Sequence, residues 1–347
     1  MATSLLESRS RLETEGSMLQ RAIISTMAYA DVFDYPLTLH EIHWYLWGIR
    51  TTQEAVADVL RAEHLRPGCL SYVASDRHDH QAGYYTLPGR EAIVELRRQR
   101  TQVAVSLWRK ARSYGQLIAQ LPFVRMVALT GSLAVGNVER GSDIDYLIVT
   151  APGRLWLCRA CVLAIGRWAS RHDDTICPNY ILSENALAFE NKSVYTAHEF
   201  AQMIPVYGLD IYHRMRECNL WVQGFLPNAC GLPRLSTDVL GETMTDPGLH
   251  RNHRFIHQMV EMPLRTPIGE WLERWEMERK LRKLTRQQAS HLESDFGPDR
   301  CKGHFSDHEH QTLRAYAARL QAIGAQGLEG WLTESGPTGL DGDTRSP

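Results

Sequence analysis

The sequence predicts a protein of the α/β (α+β) class, with a small mixed sheet set between two largely helical regions. Three observations carry this. Residues 123–183 alternate between strand-like and helix-like patterns: Val124–Leu129 and Ile144–Val149 are short apolar runs, Pro152–Arg171 is amphipathic, and Thr175–Ser183 is apolar again. Before them, three helical segments precede two short strand-like runs. Beyond Tyr195 the pattern is mostly helical, through Glu270–Gln288 and Asp307–Ile323.

The first helix is expected from about Leu19 to Phe33. Asp34, Tyr35 and Pro36 end it, because the residue before a proline is pushed out of the helical region. Thr38–Glu41 reads T-L-H-E, a capping box that opens a short helix stopping at Gly48. Thr51 or Thr52 caps a third helix, with Val56, Val59 and Leu60 inward. Cys69–Ala74 and Tyr84–Leu87 read as strands joined by the polar loop SDRHDHQAG. Three helices followed by a hairpin is the order of a winged helix, a module that often meets DNA through its third helix. Here that helix carries Glu54, Asp58 and Glu63 against Arg61, and the wing loop carries Asp76 and Asp79 against Arg77. Such faces suit phosphate poorly, so DNA binding is not expected of the module. Trp44 and Trp47 suit packing on the rest of the chain or gripping a protein. The expected organisation is a winged-helix-like module at 18–88, a connecting helix at 89–122, a catalytic domain at 123–200, a helical region at 201–333 and a disordered tail at 334–347.

Composition narrows the class. The chain has 347 residues, enough for two or three cores, and its net charge of −2 provides no global field for nucleic acid. The N-terminus lacks the apolar core of a signal peptide and no segment is apolar enough to span a bilayer, which predicts a cytoplasmic protein without membrane contact. Seven scattered cysteines form no disulfide framework; Cys158 and Cys161 make a CxxC without a second pair, read as helix packing. The basic start of the connecting helix (Arg97, Arg98, Arg100, Arg109, Lys110, Arg112) reads as a solvated face. Trp108, Trp156 and Trp221, like Trp44 and Trp47, read as core. His304, Asp307, His308 and His310 read as a solvated helix start.

Chemistry concentrates in Ala128–Thr150, ALTGSLAVGNVERGSDIDYLIVT. A strand ends at Gly131-Ser132, a loop follows, and Asp143-Ile144-Asp145 opens the next strand. Residues i and i+2 of a strand share a face, so Asp143 and Asp145 present their carboxylates together while Ile144 turns inward. Like charges so placed repel unless a cation lies between them. Mg²⁺ prefers such oxygen ligands, alongside phosphate oxygens. Gly131 lets a phosphate approach the backbone, and Ser132 offers a hydroxyl and an N–H.

This segment resembles the DNA polymerase β-type nucleotidyltransferase superfamily, whose motif is Gly-Ser after a strand, then roughly ten residues, then Asp-hydrophobic-Asp. Gly131, Ser132, Asp143 and Asp145 match it. A softer resemblance, in ADVFDYPLT, SLAVGN, CPNYILSE and YTAHEF, extends to a group of bacterial and archaeal proteins with this domain and implies no substrate. The family implies transfer of a nucleoside monophosphate from an NTP, with ATP the expected one, to an acceptor hydroxyl. It makes Asp143 and Asp145 the catalytic Mg²⁺ ligands and Gly131 and Ser132 the phosphate site; Ser142 and Arg159 are nucleotide-binding candidates read from their positions beside this motif and at the start of the following helix. Arg154, Arg140 and Lys192 are further candidates for the triphosphate.

The family generally supplies a third carboxylate from a later strand. Here that place falls on Asn179, an uncharged ligand and a poor base. Asp173, Asp174 and Glu184 flank the strand as possible substitutes. The alternative function is a weakly active or inactive nucleotide-sensing regulator that uses the N-terminal module to bind DNA or protein.

Overall fold

The computed structural model describes residues 2–61, 70–74, 83–233, 261–288, 296–302 and 308–323. It is a mixed α/β protein, about 57% helix, with a five-stranded mixed sheet and a two-stranded hairpin. No described helix is long and apolar enough to cross a membrane. The wing loop, His304, Asp307, Glu63 and the tail at 334–347 lie outside the described residues.

At the N-terminus, helix α1 (Ala2–Asp31) leads to α2 (Leu39–Trp44) and α3 (Gln53–Arg61), then the hairpin β1 (Ser71–Val73) and β2 (Tyr84–Thr86). Both halves of the Thr38/Glu41 capping box are present, and the Thr52 hydroxyl accepts the Ala55 N–H at 3.2 Å. The long helix α4 (Ile93–Ala119) then crosses to the sheet.

The sheet begins with β3 (Val124–Leu129), followed by the single turn α5 (Gly131–Ala134) and β4 (Ile144–Thr150). Next come α6 (Leu155–Ala169), β5 (Ile176–Ser183), α7 (Val194–Gln202), β6 (Ile204–Tyr207), α8 (Leu209–Cys218) and α9 (Val222–Phe225). After these lie α10 (Pro267–Gln288), β7 (Arg300–Lys302) and α11 (His308–Ala322). Strand order is β6-β3-β4-β5-β7; only β4 and β5 are parallel, joined through α6.

Two strands therefore come from the segment expected to be helical, and both are sheet edges. Residues 123–200 do not hold the whole sheet. β6 reads I-P-V-Y, and Pro205 lacks the N–H of an interior strand but is tolerated at an edge. β7 is three residues long and two of them are cationic.

Alternation along β4 divides the core. Ile144, Tyr146 and Ile148 face α4 and α6. Leu147 and Val149 face the opposite layer, where α7, α8 and α9 meet Tyr29, Trp44, Tyr45 and Trp47. The two N-terminal tryptophans are buried within this chain, packed in this same core layer. Trp108 and Trp156 are buried too, and Trp221 is partly so. Cys158 is buried against the Pro122 carbonyl, while Cys161 is exposed and unpaired.

The basic face of α4 is not uniformly solvated, a correction to the sequence expectation. The Arg97 side chain is 5% exposed and forks onto Glu41 at 2.7 and 2.8 Å, with a further bond to the Pro36 carbonyl. Its guanidinium also lies 4.2 Å from the Tyr35 ring centroid. Lys110 meets Asp174 at 2.6 Å. Burial alone would raise the Glu41 carboxyl, but Arg97 outweighs it and holds the group below the usual carboxylate range. Removing one partner from such a pair strands a buried charge. Arg97→Met is expected to lower the unfolding free energy by about 3–5 kcal/mol, with much of it recovered when Glu41→Met is added. Urea denaturation of the single and double variants measures both; a single-variant loss below about 1 kcal/mol contradicts the role assigned to the pair.

His198 on α7 is stacked on Tyr29, with ring centroids 3.8 Å apart and planes at 17°, and on Tyr45 at 5.7 Å. Burial pushes its imidazole down to about 4. The unfolded chain takes up this proton near pH 6.5, so the contribution is complete above that pH and declines as pH falls toward 4, by about 3 kcal/mol in all. His198→Phe retains stacking without titrating. Melting temperatures from pH 7 to 4.5 should fall more steeply for the wild type than for this variant, which keeps every other titrating group, Glu199 included. Parallel curves contradict the assignment.

Candidate functional site

β3 delivers Thr130 and Gly131 beside the opening of β4, because the strands are antiparallel and Thr130 N–H donates to the Asp145 carbonyl at 3.0 Å. Gly131 has φ +67°, a left-handed conformation that L side chains rarely adopt. A Cβ there would stand 2.5 Å from Asp145 Oδ2. The glycine is thus required twice, by its backbone and by the carboxylate packed over it.

Asp143 is exposed and Asp145 partly buried. Asp145 lies on the sheet face of Leu147 and Val149, by the two-residue period of β4. Burial raises its carboxyl, a hydrogen bond from Cys177 draws it back, and Asp143 raises it again, leaving it pushed up to about 6. Among the described residues no lysine or arginine forms an ion pair with either aspartate. Perturbed carboxylates of this kind concentrate at functional sites.

Opposite Asp145 on β5 stands Cys177. Its thiol is pushed up to about 12 by burial and by Asp145, so it stays protonated and donates. The β4–β5 register then slips: Asp145 pairs Cys177, but Leu147 pairs Tyr180. Two residues of β4 thus span three of β5, with Pro178 and Asn179 taking up the extra one. The bulge leaves Asn179 lining a cavity beside the site.

The acids flanking β5 are engaged elsewhere. Asp174 is buried and bonded to Lys110 and to Tyr114 Oη at 2.8 Å. Glu184 joins Arg214 at 2.8 Å and Arg125 at 3.7 Å. Asp173 sits in a left-handed turn after α6. No group of three His, Cys, Asp or Glu among the described residues is arranged to hold a metal.

The structure brings Gly131, Ser132, Asp143 and Asp145 to one end of the β3–β4 pair. Ser132 is exposed, and its carbonyl accepts the Asn137 N–H at 2.8 Å. Ser142 is employed inside the loop, its Oγ accepting from the Glu139 N–H at 3.1 Å. Arg159 is not brought to the aspartates: it lies on α6, which follows the opposite end of β4, with its guanidinium 5.8 Å from the Trp156 ring centroid. Arg154 is at that far end too, donating to the Leu264 carbonyl at 3.1 Å. Arg140 and Lys192 are exposed.

Sequence reasoning missed Glu199. It lies on α7, which packs against α5. Its carboxyl is pushed up to about 7 by burial and then by repulsion from Asp145, with Lys302 opposing. The motif Y-T-A-H-E-F contains it, yet its helical setting and its distance of more than fifty residues from Asp145 left no local pattern linking the two. Lys302, on the unanticipated β7, shares the cavity with Glu199, and His308 and His310 stand at its margin.

Comparison of the chain with family models, with curated proteins and with solved structures returned no match.

Gly131→Ala is expected to cost about 1–3 kcal/mol in stability from the left-handed backbone and the contact with Asp145. Chemical denaturation measures it. Unchanged stability would show that the carboxylate is free to move away.

Proposed function

We propose that this protein is a Mg²⁺-dependent nucleotidyltransferase that moves a nucleoside monophosphate from an NTP to an acceptor hydroxyl. One observation carries the reading: Asp145, unpaired with any cation, rests on a left-handed Gly131 that follows β3, with Asp143 immediately before β4 and near enough to repel it. The wider arrangement supports it, since Gly131-Ser132 ends one strand and the aspartate pair opens its antiparallel neighbour. This also supports the finer fold reading of a polymerase β-type domain. The three N-terminal helices with a following antiparallel hairpin support the winged-helix-like reading in the same way.

The donor set suits Mg²⁺. Asp143 and Asp145 offer carboxylate oxygens, and Asn179 an amide oxygen near the bulge, whereas the protonated Cys177 thiol is no ligand for a hard cation. Asp143 and Asp145 would hold the ion, which when bound supplies charge neutralisation for the triphosphate and the leaving pyrophosphate. Gly131 admits the phosphates to the backbone, and exposed Ser132 can donate its hydroxyl to them. Asp145 is held in place by the Cys177 hydrogen bond and by contact with Gly131.

A regulator that binds nucleotide with little transfer is favoured by one feature, the absence of a carboxylate at Cys177 and Asn179. DNA binding by such a regulator gains no support from α3, where exposed Arg61 faces Asp58 at 3.4 Å. Its residual form is nucleotide sensing through the same aspartates.

Isothermal titration with Mg²⁺ and ATP tests the reading. Asp145→Asn is expected to remove the metal-dependent part of ATP binding. In the enzyme, Mg²⁺-dependent pyrophosphate release in the presence of an acceptor should fall at least 100-fold, about 2.7 kcal/mol in the barrier. Identical metal dependence in wild type and variant would sink both readings.

A further inference from the structure

A cavity of about 570 Å³ opens on the Leu147 face of the sheet, between it, α7 and the start of α11. This is within the usual size range of small-molecule sites. Thr130, the residue before Gly131, lines it, so it adjoins the aspartate site.

Its walls have three kinds of chemistry. Tyr180 and Phe189 stack with centroids 5.4 Å apart and planes at 14°, giving a flat aromatic side. Thr130 is 6% exposed and its hydroxyl has no hydrogen-bond partner; a buried hydroxyl left so is costly. The side chains of Glu199 and Lys302 both line the cavity, and neither side chain forms a hydrogen bond or ion pair among the described residues. They interact only as an electrostatic pair.

We propose that this cavity binds the acceptor, and that the acceptor is a small aromatic hydroxy acid. The inference rests on the nucleotidyltransferase reading. A ring lies on the Tyr180–Phe189 wall. The anionic group meets Lys302, and the hydroxyl meets Glu199 on the side of the aspartates. An unpaired carboxylate is a poor neighbour for a triphosphate, because like charges repel. It suits a hydroxyl that must give up its proton. In the transfer, the acceptor oxygen bonds to the α-phosphorus and the bond to pyrophosphate breaks. The hydroxyl proton passes to the Glu199 carboxylate. A cavity of this size takes a ring compound and excludes a folded protein surface or a duplex end.

The probe is 4-hydroxybenzoate, titrated calorimetrically into the full chain with and without Mg²⁺ and ATP. Binding is expected in both conditions. Lys302→Met should weaken it at least tenfold, and Lys302→Arg should restore most of the affinity. Glu199→Gln should weaken probe binding less than Lys302→Met does and reduce nucleotidylated product, followed by mass spectrometry, at least 100-fold. Melting curves establish that each variant is folded. Three results overturn the proposal: no binding of the probe, binding indifferent to Lys302→Met in a folded variant, or displacement of the probe by ATP. The last would make the cavity the nucleobase pocket. Failure of the underlying reading is separate: it shows as Asp145→Asn leaving Mg²⁺–ATP binding unchanged, whatever the probe does.

Discussion

The pairing of Arg97 with Glu41 organises more of this molecule than its two charges suggest. Glu41 closes the capping box of α2, accepts both arms of Arg97 from α4, and lies 2.8 Å from the Tyr35 hydroxyl. That hydroxyl is also 2.9 Å from the Val135 carbonyl, in the loop joining Gly131 to Asp143. Both neighbours are acceptors, so one phenolic proton serves two oxygens. The same loop is gripped again nearby. Asn137 donates to the Phe33 carbonyl at 3.0 Å, and Arg100 reaches Asn137 at 3.1 Å and Glu139 at 2.7 Å. The N-terminal helices thus act as the wall against which the site loop is set. Charge-assisted bonds of this kind hold geometry more firmly than neutral ones.

Such a wall is needed because the site is electrostatically uncomfortable. Asp143, Asp145 and Glu199 approach one another without a cationic partner at hydrogen-bond range among the described residues. Asp143 is tolerated through exposure, Asp145 through the Cys177 thiol, and Glu199 through the more distant Lys302. Each device is partial, and the carboxyls of Asp145 and Glu199 remain raised. A left-handed glycine, a bulged strand and raised carboxyls at one place are local costs that the surrounding core must offset. The offset is visible in fully buried Ile144, between the two aspartates, and in Tyr146 and Ile148 after them.

Legibility followed how local each signal is. The capping box at Thr38 and the bounds of β3 and β4 were readable because a few adjacent residues determine them. β6 and β7 were not, since one contains Pro205 and the other is a charged tripeptide; pairing at a sheet edge, rather than intrinsic preference, makes them strands. The buried state of Arg97 escaped because sequence shows a run of cations without showing that Glu41, more than fifty residues earlier, lies opposite. Glu199 and Lys302 escaped for the same reason: they belong to a helix and an edge strand that only the folded sheet brings beside Thr130. Asn179 was located through its strand, but the slip in register that points it at the cavity has no signature beyond Pro178.

The departure at β5 has a structural logic of its own. A carboxylate at position 177 would stand directly across from Asp145, on a parallel strand and in a partly buried setting. With Asp143 and Glu199 already near, it would add a third repulsion to Asp145 without a compensating cation. The thiol instead donates a proton toward Asp145 and relieves the crowding. A further acid, Glu199, stands one layer away on α7, next to His198, which is stacked on Tyr29 and Tyr45. The residue nearest the proposed proton transfer is therefore held by the N-terminal helices, as the site loop is by Tyr35 and Arg100. Both halves of the proposed chemistry, the phosphate side at Gly131 and the acceptor side at Glu199, take their positions from the same module. Its acidic third helix and its buried tryptophans agree with a module that supports the site from within the chain.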